Sequence, residues 1–309
     1  MYEPKRCNYY STLIIRNKNI INEKLLKSAE RKEQLLLTAL TIPALISVTL
    51  IIVIPVGWLF SLSFLGKSGD FSLENYQKMI VYKSYFRVFK TTFNVSFLTT
   101  IFCILLGYPL AYFLSQVPKK LVGIFMITVL LPFWTSLLVR TYAWLVLLQK
   151  KGMINNFAID MGIWETPIKL AHNLNGTLVG MIHIMLPFMV LPLYAAMQRI
   201  DRQTMQAASN LGATPIQAFW QIFVPLSLPG VAAGSLIVFI LCLGFYVTPA
   251  VLGGGKVIMV SMQITAILED QFNWGAASAL GVVLLVTTFI FLLLASRFLK
   301  LDSIMFGKH

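Results

Sequence analysis

The chain has 309 residues, of which 57% are hydrophobic and only 12% are charged, about half the ~25% charged share of an ordinary soluble domain. This composition excludes a single water-soluble core, and the net charge is +13. The apolar residues come in long blocks, near or above the ~20 residues that cross a bilayer as a helix. The short alternating segments of a membrane β-barrel are absent from the sequence. The sequence therefore predicts an all-α integral membrane protein.

Six apolar blocks follow a basic tail, and each is long enough for one membrane span. We therefore divide the chain into a tail, residues 1–34, and a six-helix membrane domain, residues 35–309. A shorter apolar stretch, residues 256–266, is too short to span and is expected to be re-entrant or interfacial. The predicted spans are residues 35–64, 91–115, 121–148, 177–197, 228–252 and 274–298.

The distribution of lysine and arginine predicts that both termini lie in the cytoplasm, because this places more of the 25 basic residues inside. The basic tail then lies beside the membrane, so anionic lipid is a more natural partner for its charge than nucleic acid. Residues 20–34 either form a helix along the inner surface or remain a solvated tail. The first apolar block is too long for a signal peptide and should stay as an anchor. The outer stretch 65–90 opposes this bias with five basic residues: Lys67, Lys78, Lys83, Arg87 and Lys90.

Two glycine–lysine stretches resemble phosphate-binding loops but do not complete the pattern. Residues 66–68 read GKS, yet Ser61 stands where the first glycine is needed. Residues 253–256 read GGGK, and Val257 then supplies no hydroxyl for magnesium. Both are predicted to be turns, and we expect no catalytic residue, metal or cofactor site. Residue types that bind metals or form disulfides are scattered without suitable spacing: Cys7, Cys103, Cys242, His172 and His183.

The segment between the fourth and fifth spans carries an unusual number of helix start and stop signals. Asp201 is a good N-cap for a short helix over residues 202–210, and Gly212 is placed to end that helix in a left-handed conformation. Thr214 and Gln217 have the spacing of a capping box, with Pro215 at the first helical position. The sequence therefore predicts two short, stiff helices set at an angle.

The second short helix is predicted to carry an apolar stripe of Ile216, Phe219, Trp220 and Phe223. Pro225 should end this helix, and Pro229 with Gly230 should open the next span. Exposed aromatic clusters usually mark an interface, although a connector without a partner is the plainer alternative. A DNA-reading helix-turn-helix has a similar Ala208–Gly212 spacing. It needs cations for phosphate, however, and Arg202 is the only basic residue over 202–230.

This segment resembles the signature loop of permease subunits of binding-protein-dependent ABC importers. Gln206 departs from the family, which usually has Glu here, so an ion pair made by that carboxylate would be missing. A second stretch, residues 130–148 (LLPFWTSLLVRTYAWLVLL), resembles the spermidine/putrescine-type branch of the family. The residues that match the signature loop are Ala207, Ala208, Gly212, Ala213, Phe219, Pro225, Pro229 and Gly230.

The resemblance implies a type I ABC importer permease fold in a bacterial inner membrane, with a cytoplasmic coupling loop over about residues 198–230. The chain would pair with a second permease, identical or not, and bind two ATPase subunits through this loop. Gln206 and Trp220 would join the matched residues in that contact. An extracytoplasmic binding protein would deliver a small solute, with polyamines, opines and amino-acid derivatives all open. The chain itself would be non-catalytic, and its partners would bind ATP.

Arg140 is the only charged residue well inside a predicted span, about eight residues or roughly 12 Å from its outer end. Such residues are costly and usually face a cavity or a partner. One interpretation is that Arg140 shapes the translocation path or its outer gate, although it would not attract a polycation. The alternatives are snorkelling to the interface or a hydrogen bond to the backbone.

Four further residues are candidates for the translocation path. Trp134, Tyr142 and Trp144 have rings that can stack on a ligand, but aromatic residues at helical spacing more often pack or form the interfacial belt. Asp270, beside the sixth span, can meet a cationic solute or the binding protein, or it is simply a solvated loop end.

Two other classes of membrane protein remain as alternatives. A secondary transporter with its own coupling-ion site would need acidic residues in its spans, and the six predicted spans contain no Asp or Glu. A structural membrane scaffold would not need the capped loop.

Overall fold

The computed structural model describes the backbone of residues 5–66 and 70–298, and the side chains of residues 32–66, 70–118, 120–201 and 203–297. Residues 1–4, 67–69 and 299–309 fall outside this range. The chain divides into two units, Met1–Ser61 and Leu62–His309. The first unit is one long helix that contains the first span, and the second holds the other spans.

Helices make up nearly all of the described chain, and no extended strand occurs within it. We number them α1 to α13 in chain order. Their bounds are α1 Lys5–Ser63, α2 Glu74–Val81, α3 Lys83–Gln116, α4 Lys119–Leu130, α5 Leu137–Leu148, α6 Met153–Asp160, α7 Leu174–Gln198, α8 Arg202–Asn210, α9 Pro215–Ala218, α10 Val224–Leu243, α11 Val247–Leu252, α12 Val260–Gln271 and α13 Trp274–Phe298.

Six-span architecture is confirmed, with one span broken. Five described helices are long and apolar enough to cross a membrane, and a bent pair supplies a sixth. The tail is helical from Lys5 and continuous with the first span, so no break in the backbone separates the predicted tail from the membrane domain. The long helices are Lys32–Ser63, Lys83–Gln116, Leu174–Gln198, Pro215–Leu243 and Trp274–Arg297.

The third span is not the single straight helix that the sequence predicts. The helical stretches Lys120–Trp134 and Leu137–Asp160 meet at an angle of 94°. A 3₁₀ turn, Leu131–Trp134, precedes the break, and Ser136 is extended with φ −56° and ψ 138°. Pro132 lies in this turn and has no backbone N–H, so it cannot continue the α-helical hydrogen-bond ladder.

The fifth span is displaced toward the N-terminus from its predicted position. Its helix begins at Pro215 and ends at Leu243, whereas residues 228–252 were expected. Gly244 closes the helix with φ −94° and ψ 4°, and α11 is a separate short helix. Apolar composition continues past the real end, which explains why the boundary was misplaced.

The main core lies where α3, α7 and α10 pack together. Methionine side chains at 181, 185, 189 and 197 of α7 are almost completely buried there, and their flexible thioethers fill irregular space between helices. A second cluster joins the start of α3 to α12 and α13 through Val88, Ile267 and Leu280. The short apolar stretch 256–266 enters α12, and Met259 and Val260 are fully buried, so it packs against protein.

Candidate functional sites

Helix α8 begins and ends as the sequence predicts. Asp201 caps its N-terminus, because the Asp201 Oδ1 accepts a 2.9 Å hydrogen bond from the Gln203 N–H. At the other end Gly212 has φ +88°. The Gly212 N–H bonds the Ser209 carbonyl, and the Ala213 N–H bonds the Ala208 carbonyl, each at 3.0 Å. These two bonds form a Schellman motif, which satisfies the last carbonyls of the helix.

Helix α9 begins with the predicted capping box. The Thr214 N–H donates to Gln217 Oε1 at 2.9 Å, and the Gln217 N–H donates to Thr214 Oγ1 at 3.3 Å. Pro215 occupies the first turn, where a missing N–H costs nothing. Local hydrogen bonds therefore hold both sides of the turn between α8 and α9.

The helical backbone that begins with α9 continues past Pro225 into α10. The prediction that this proline ends the second short helix is therefore wrong. A π-turn, Phe219–Phe223, joins α9 to α10, and the Val224 N–H reaches back to the Phe219 carbonyl. The wider turn lets the helix pass Pro225, which has no N–H to give. Pro229 and Gly230 then lie inside α10 and do not open it.

Gly230 is placed at a close approach between the fourth and fifth spans. A Cβ atom at this position would lie 2.5 Å from the Ala196 Cβ and 3.1 Å from the Pro192 carbonyl oxygen. Both neighbours belong to α7, so the absent side chain lets α10 pack directly against that helix. Gly230 therefore supports packing between spans, a role that its place in the loop motif alone did not reveal.

Phe219 and Trp220 do not share one exposed face, contrary to the prediction. Phe219 is half-buried and packs edge-on against Tyr112 of α3, with ring centroids 5.2 Å apart. It also stacks on buried Phe223 at 5.8 Å. Trp220 remains 64% exposed. Phe219 and Phe223 thus attach the loop to α3, while Trp220 remains exposed.

Three large apolar side chains project from the coupling loop at its corner. Leu211 is 89% exposed, Ile216 73% and Trp220 64%. Leu211 lies in the turn that ends α8, and the other two lie on the first turns of the next helix. We name this set the corner surface. The sequence signalled Trp220 and Ile216 through their spacing, but Leu211 was missed because it falls outside the apolar stripe.

Gln206 lines an open cleft of about 900 Å³ at the same end of the molecule. The cleft lies between the C-terminal end of α3 and the connection from α7 to α8. Gln116, Arg199 and Asp201 supply polar groups to its wall. Next to Gln206 in the sequence, Ala207 is exposed and Ala208 is buried. The residue that departs from the family therefore faces a space enclosed partly by its own chain.

Arg140 and Trp144 lie one turn apart on α5 and are brought together with His183 of α7. The Trp144 Nε1–H donates a 3.1 Å hydrogen bond to His183 Nδ1, and the two rings meet edge-on at 5.7 Å. Arg140 is half-buried, and its Nε and Nη1 atoms have no hydrogen-bond partner within the described part of the chain. These nitrogens therefore make no backbone hydrogen bond of the kind considered above.

The contact of His183 with Trp144 is a feature that the sequence does not predict. The two are 39 positions apart and meet only because α5 packs on α7. No local spacing carries this signal. With Nδ1 accepting, a neutral His183 carries its proton on Nε2, which is then a donor.

The other predicted path residues are not part of this cluster. Trp134 ends the 3₁₀ turn before α5 and is 90% exposed. Tyr142 lies on another side of α5 and is 54% exposed. Asp270 is exposed near the end of α12. Of the five candidates, the structure therefore brings together only Arg140 and Trp144.

The structure describes several of the stretches and side chains for which the sequence predicts no catalytic or metal-binding role. Gly254 and Gly255 have φ +56° and +72°, so residues 253–256 include a turn as predicted. The stretch 66–68 lies largely outside the described residues. Cys103 and Cys242 are buried free thiols. No group of three or more His, Cys, Asp or Glu side chains suited to a metal occurs among the described residues.

Comparison with known proteins gives a consistent set of similarities. A family model described as "Binding-protein-dependent transport system inner membrane component" matches residues 97–300. The spermidine/putrescine transport system permease protein PotB of Haemophilus influenzae is 34% identical over 248 residues, covering 78% of this chain and 86% of that protein. Its counterpart in Escherichia coli K12 is 33% identical over 233 residues, covering 74% and 84%.

A solved structure shares the fold. It is a chain from a bacterial alginate ABC transporter in complex with an alginate pentasaccharide-bound periplasmic protein, with a TM-score of 0.70 and 19% sequence identity. The similarity covers 86% of this chain and 94% of that chain.

Proposed function

Because the chain belongs to the family of binding-protein-dependent transport system inner membrane components, and so is a permease subunit of an ABC importer with the type I permease fold, we propose how its parts work. The chain forms half of a transmembrane path, and a second permease forms the other half. Two ATPase subunits bind and hydrolyse the ATP, and this chain holds no cofactor of its own. Its N- and C-termini face the ATPases in the cytoplasm.

The corner surface is the docking point for an ATPase subunit. Leu211, Ile216 and Trp220 present a small apolar group with an aromatic anchor, the composition that usually dominates binding energy at an interface. The corner that carries them is held by two hydrogen-bonded caps. This combination of exposed anchors on a locally rigid support is the observation that carries the proposal.

Motion of the ATPase reaches the spans through continuous helix. Helix α9 runs through the π-turn into α10 without an intervening loop, and α8 follows α7 after a short connection. The Tyr108 and Ser227 hydroxyls are 2.9 Å apart and link α3 to α10 close to the turn. Displacement of the corner would therefore move the fourth and fifth spans together and change access to the path.

The solute is a polyamine. The two relatives described above are spermidine/putrescine permeases, and they align with about three quarters of this chain. Because its positive charge repels a polycation, Arg140 acts in the closed gate and does not bind the solute. Asp270, Trp134 and Tyr142 remain candidates for contact with the solute or with the delivering protein.

Reconstituted transport tests this function. The chain is co-expressed with the ATPase, second permease and binding protein identified from neighbouring reading frames, and the complex is placed in proteoliposomes. We expect uptake of labelled putrescine or spermidine that requires both ATP and the binding protein. Unlabelled polyamine should compete, and an amino acid should not. Uptake by this chain without an ATPase, driven by an ion gradient, would establish a secondary transporter instead.

A further inference from the structure

Residues 73–90 form a short structured unit at one end of the membrane domain. The unit consists of α2 and the first two turns of α3. Helix α3 has 34 residues, a length of roughly 51 Å at 1.5 Å per residue. Its far end, Gln116, lines the cleft beside the coupling loop. The unit therefore lies at the membrane boundary opposite the coupling loop.

One side of this unit is firmly attached to the protein. Asn75 is buried, and its Nδ2 donates a 2.9 Å hydrogen bond to the Leu65 carbonyl. Val88 is buried in the cluster that α12 and α13 share, and Met79 packs against the same cluster. These contacts hold the unit in a fixed orientation and leave its opposite side exposed.

The exposed side combines large apolar groups with cations. Ile80 is 86% exposed, Val81 72% and Phe86 74%, which is unusual for a fixed helical segment in water. Lys83 lies between Val81 and Phe86, Arg87 and Lys90 follow Phe86, and all three cations are exposed. Lys78 differs from these cations, because it pairs with Glu74 one turn earlier. We name the six exposed residues the boundary patch.

The boundary patch continues an apolar face that runs along the span. Phe97, Ile101 and Leu105 of α3 are exposed on successive turns below it. No charged residue occurs between Lys90 and the end of α3 at Gln116. Apolar side chains along a span, with basic and aromatic residues gathered at its end, are the pattern of a helix passing from acyl chains to headgroups.

We propose that the boundary patch binds anionic phospholipid in the leaflet opposite the coupling loop. Ile80, Val81 and Phe86 enter the boundary of the acyl chains, while the three cations contact headgroup phosphates. This assignment explains why so many basic residues sit on the side that the charge rule expects to be poor in them. It depends on the membrane fold and not on the solute, so its test is independent of the transport assay.

The first experiment measures lipid retained by the purified full-length chain. Protein is extracted from membranes with a mild detergent, and the ratio of phosphatidylglycerol to phosphatidylethanolamine that co-purifies is measured by mass spectrometry. Lys83→Gln/Arg87→Gln/Lys90→Gln should lower this ratio at least about fivefold, the factor that attraction of one basic residue to an anionic surface supplies. The matched control Lys150→Gln/Lys151→Gln/Lys169→Gln removes the same charge from other exposed positions on the predicted outer side.

The second experiment locates the patch in an otherwise intact protein. A bimane fluorophore is attached at Ile80→Cys in a Cys7→Ser background, since Cys103 and Cys242 are fully buried. In proteoliposomes, brominated phosphatidylglycerol should quench this label and aqueous iodide should not. The same label at Ile216→Cys, on the corner surface, should show the reverse.

Three results would overturn the proposal. An unchanged lipid ratio in the patch variant would do so, as would an equal fall in the control variant. The proposal also fails if bimane at position 80 is quenched by iodide and not by brominated lipid. If that label then becomes shielded when the solute-binding protein is added, the patch is a protein docking surface.

Discussion

Gly212 and Gly230 show two different physical reasons for a glycine within one motif. At Gly212 a Cβ atom would meet no described atom within 4 Å, but the backbone has φ +88°. At Gly230 the backbone is helical, but a Cβ atom would lie 2.5 Å from the Ala196 Cβ. Substitution is therefore opposed by conformation at the first position and by space at the second.

Gly212→Val should abolish transport while the protein still inserts in the membrane. A side-chain-bearing residue in the left-handed region costs roughly 1–2 kcal/mol, and a β-branched one suits it least. The corner would re-form with the wrong angle and misplace Ile216 and Trp220. Solute uptake in cells and membrane fractionation measure the two effects.

Gly212→Asn is the matched control, because asparagine tolerates the left-handed region. Transport should be largely retained. A membrane-inserted Gly212→Val protein that binds the ATPase and transports at the normal rate would show that the loop is only a connector.

Gly230→Ala should destabilise the packing of α10 on α7. Overpacking of this kind typically costs 1–3 kcal/mol, and the thermal midpoint of the detergent-solubilised protein should fall. Ala196→Gly removes the closest opposing atom, so the double variant should recover part of the loss relative to the sum of the single variants. Strictly additive changes in the midpoint would contradict the contact.

Arg140→Ala should impair uptake and leave assembly with the ATPase intact. The side chain has buried Nε and Nη1 atoms without partners in the described chain, so it is not needed to satisfy the fold. Co-purification of the ATPase measures assembly, and labelled solute measures uptake. Normal uptake, or a complex that falls apart, would assign Arg140 a structural role.

At the scale of the element, the proposed coupling requires the join between α9 and α10 to transmit force. Two glycines inserted after Phe223 should interrupt the helix just beyond the π-turn. We expect the ATPase to bind still, because the corner surface lies before the insertion, but uptake should be lost. The same insertion in the connection 161–173 between α6 and α7 is the control and should be tolerated better. Full uptake with the interrupted helix would exclude transmission by this route.

Local signals explain which elements the sequence predicted well. The N-cap at Asp201, the left-handed Gly212 and the capping box at Thr214 depend only on residues within one or two turns. The helix passes Pro225 through the π-turn Phe219–Phe223, whose rings pack on Tyr112 of α3, and the proline alone does not reveal this. Similarly, the contact of Trp144 with His183 exists only after two spans have packed.

Boundaries of apolar blocks were less informative than their number. The break in the third span lies inside continuous apolar sequence, and the fifth span stops at Gly244 although apolar residues continue to Leu252. Hydropathy reports whether residues suit a membrane but not whether the backbone stays helical. The predicted number of spans is therefore retained when the bent pair is counted as one. The predicted straight course of the third span and the predicted bounds of the fifth are wrong.

At the scale of the whole molecule, the chain should bind and hydrolyse no ATP by itself. Neither glycine–lysine stretch completes the phosphate-loop pattern in the sequence. Phosphate release from the purified chain should equal the detergent blank and rise only when the ATPase subunit is added. Hydrolysis by a preparation free of other subunits would contradict the assigned division of labour.

The break between α4 and α5 has a consequence for hydration. Helix α5 starts at Leu137, and the Ser136 side chain before it makes no capping hydrogen bond. The first N–H groups of a helix have no acceptor within the helix itself, so those of α5 need another partner. Hydrocarbon cannot accept those hydrogen bonds, and irregular backbone at membrane depth is tolerated only where protein or water meets it. With the bend at Ser136 inside the bilayer, we expect these N–H groups to meet water or protein rather than acyl chains.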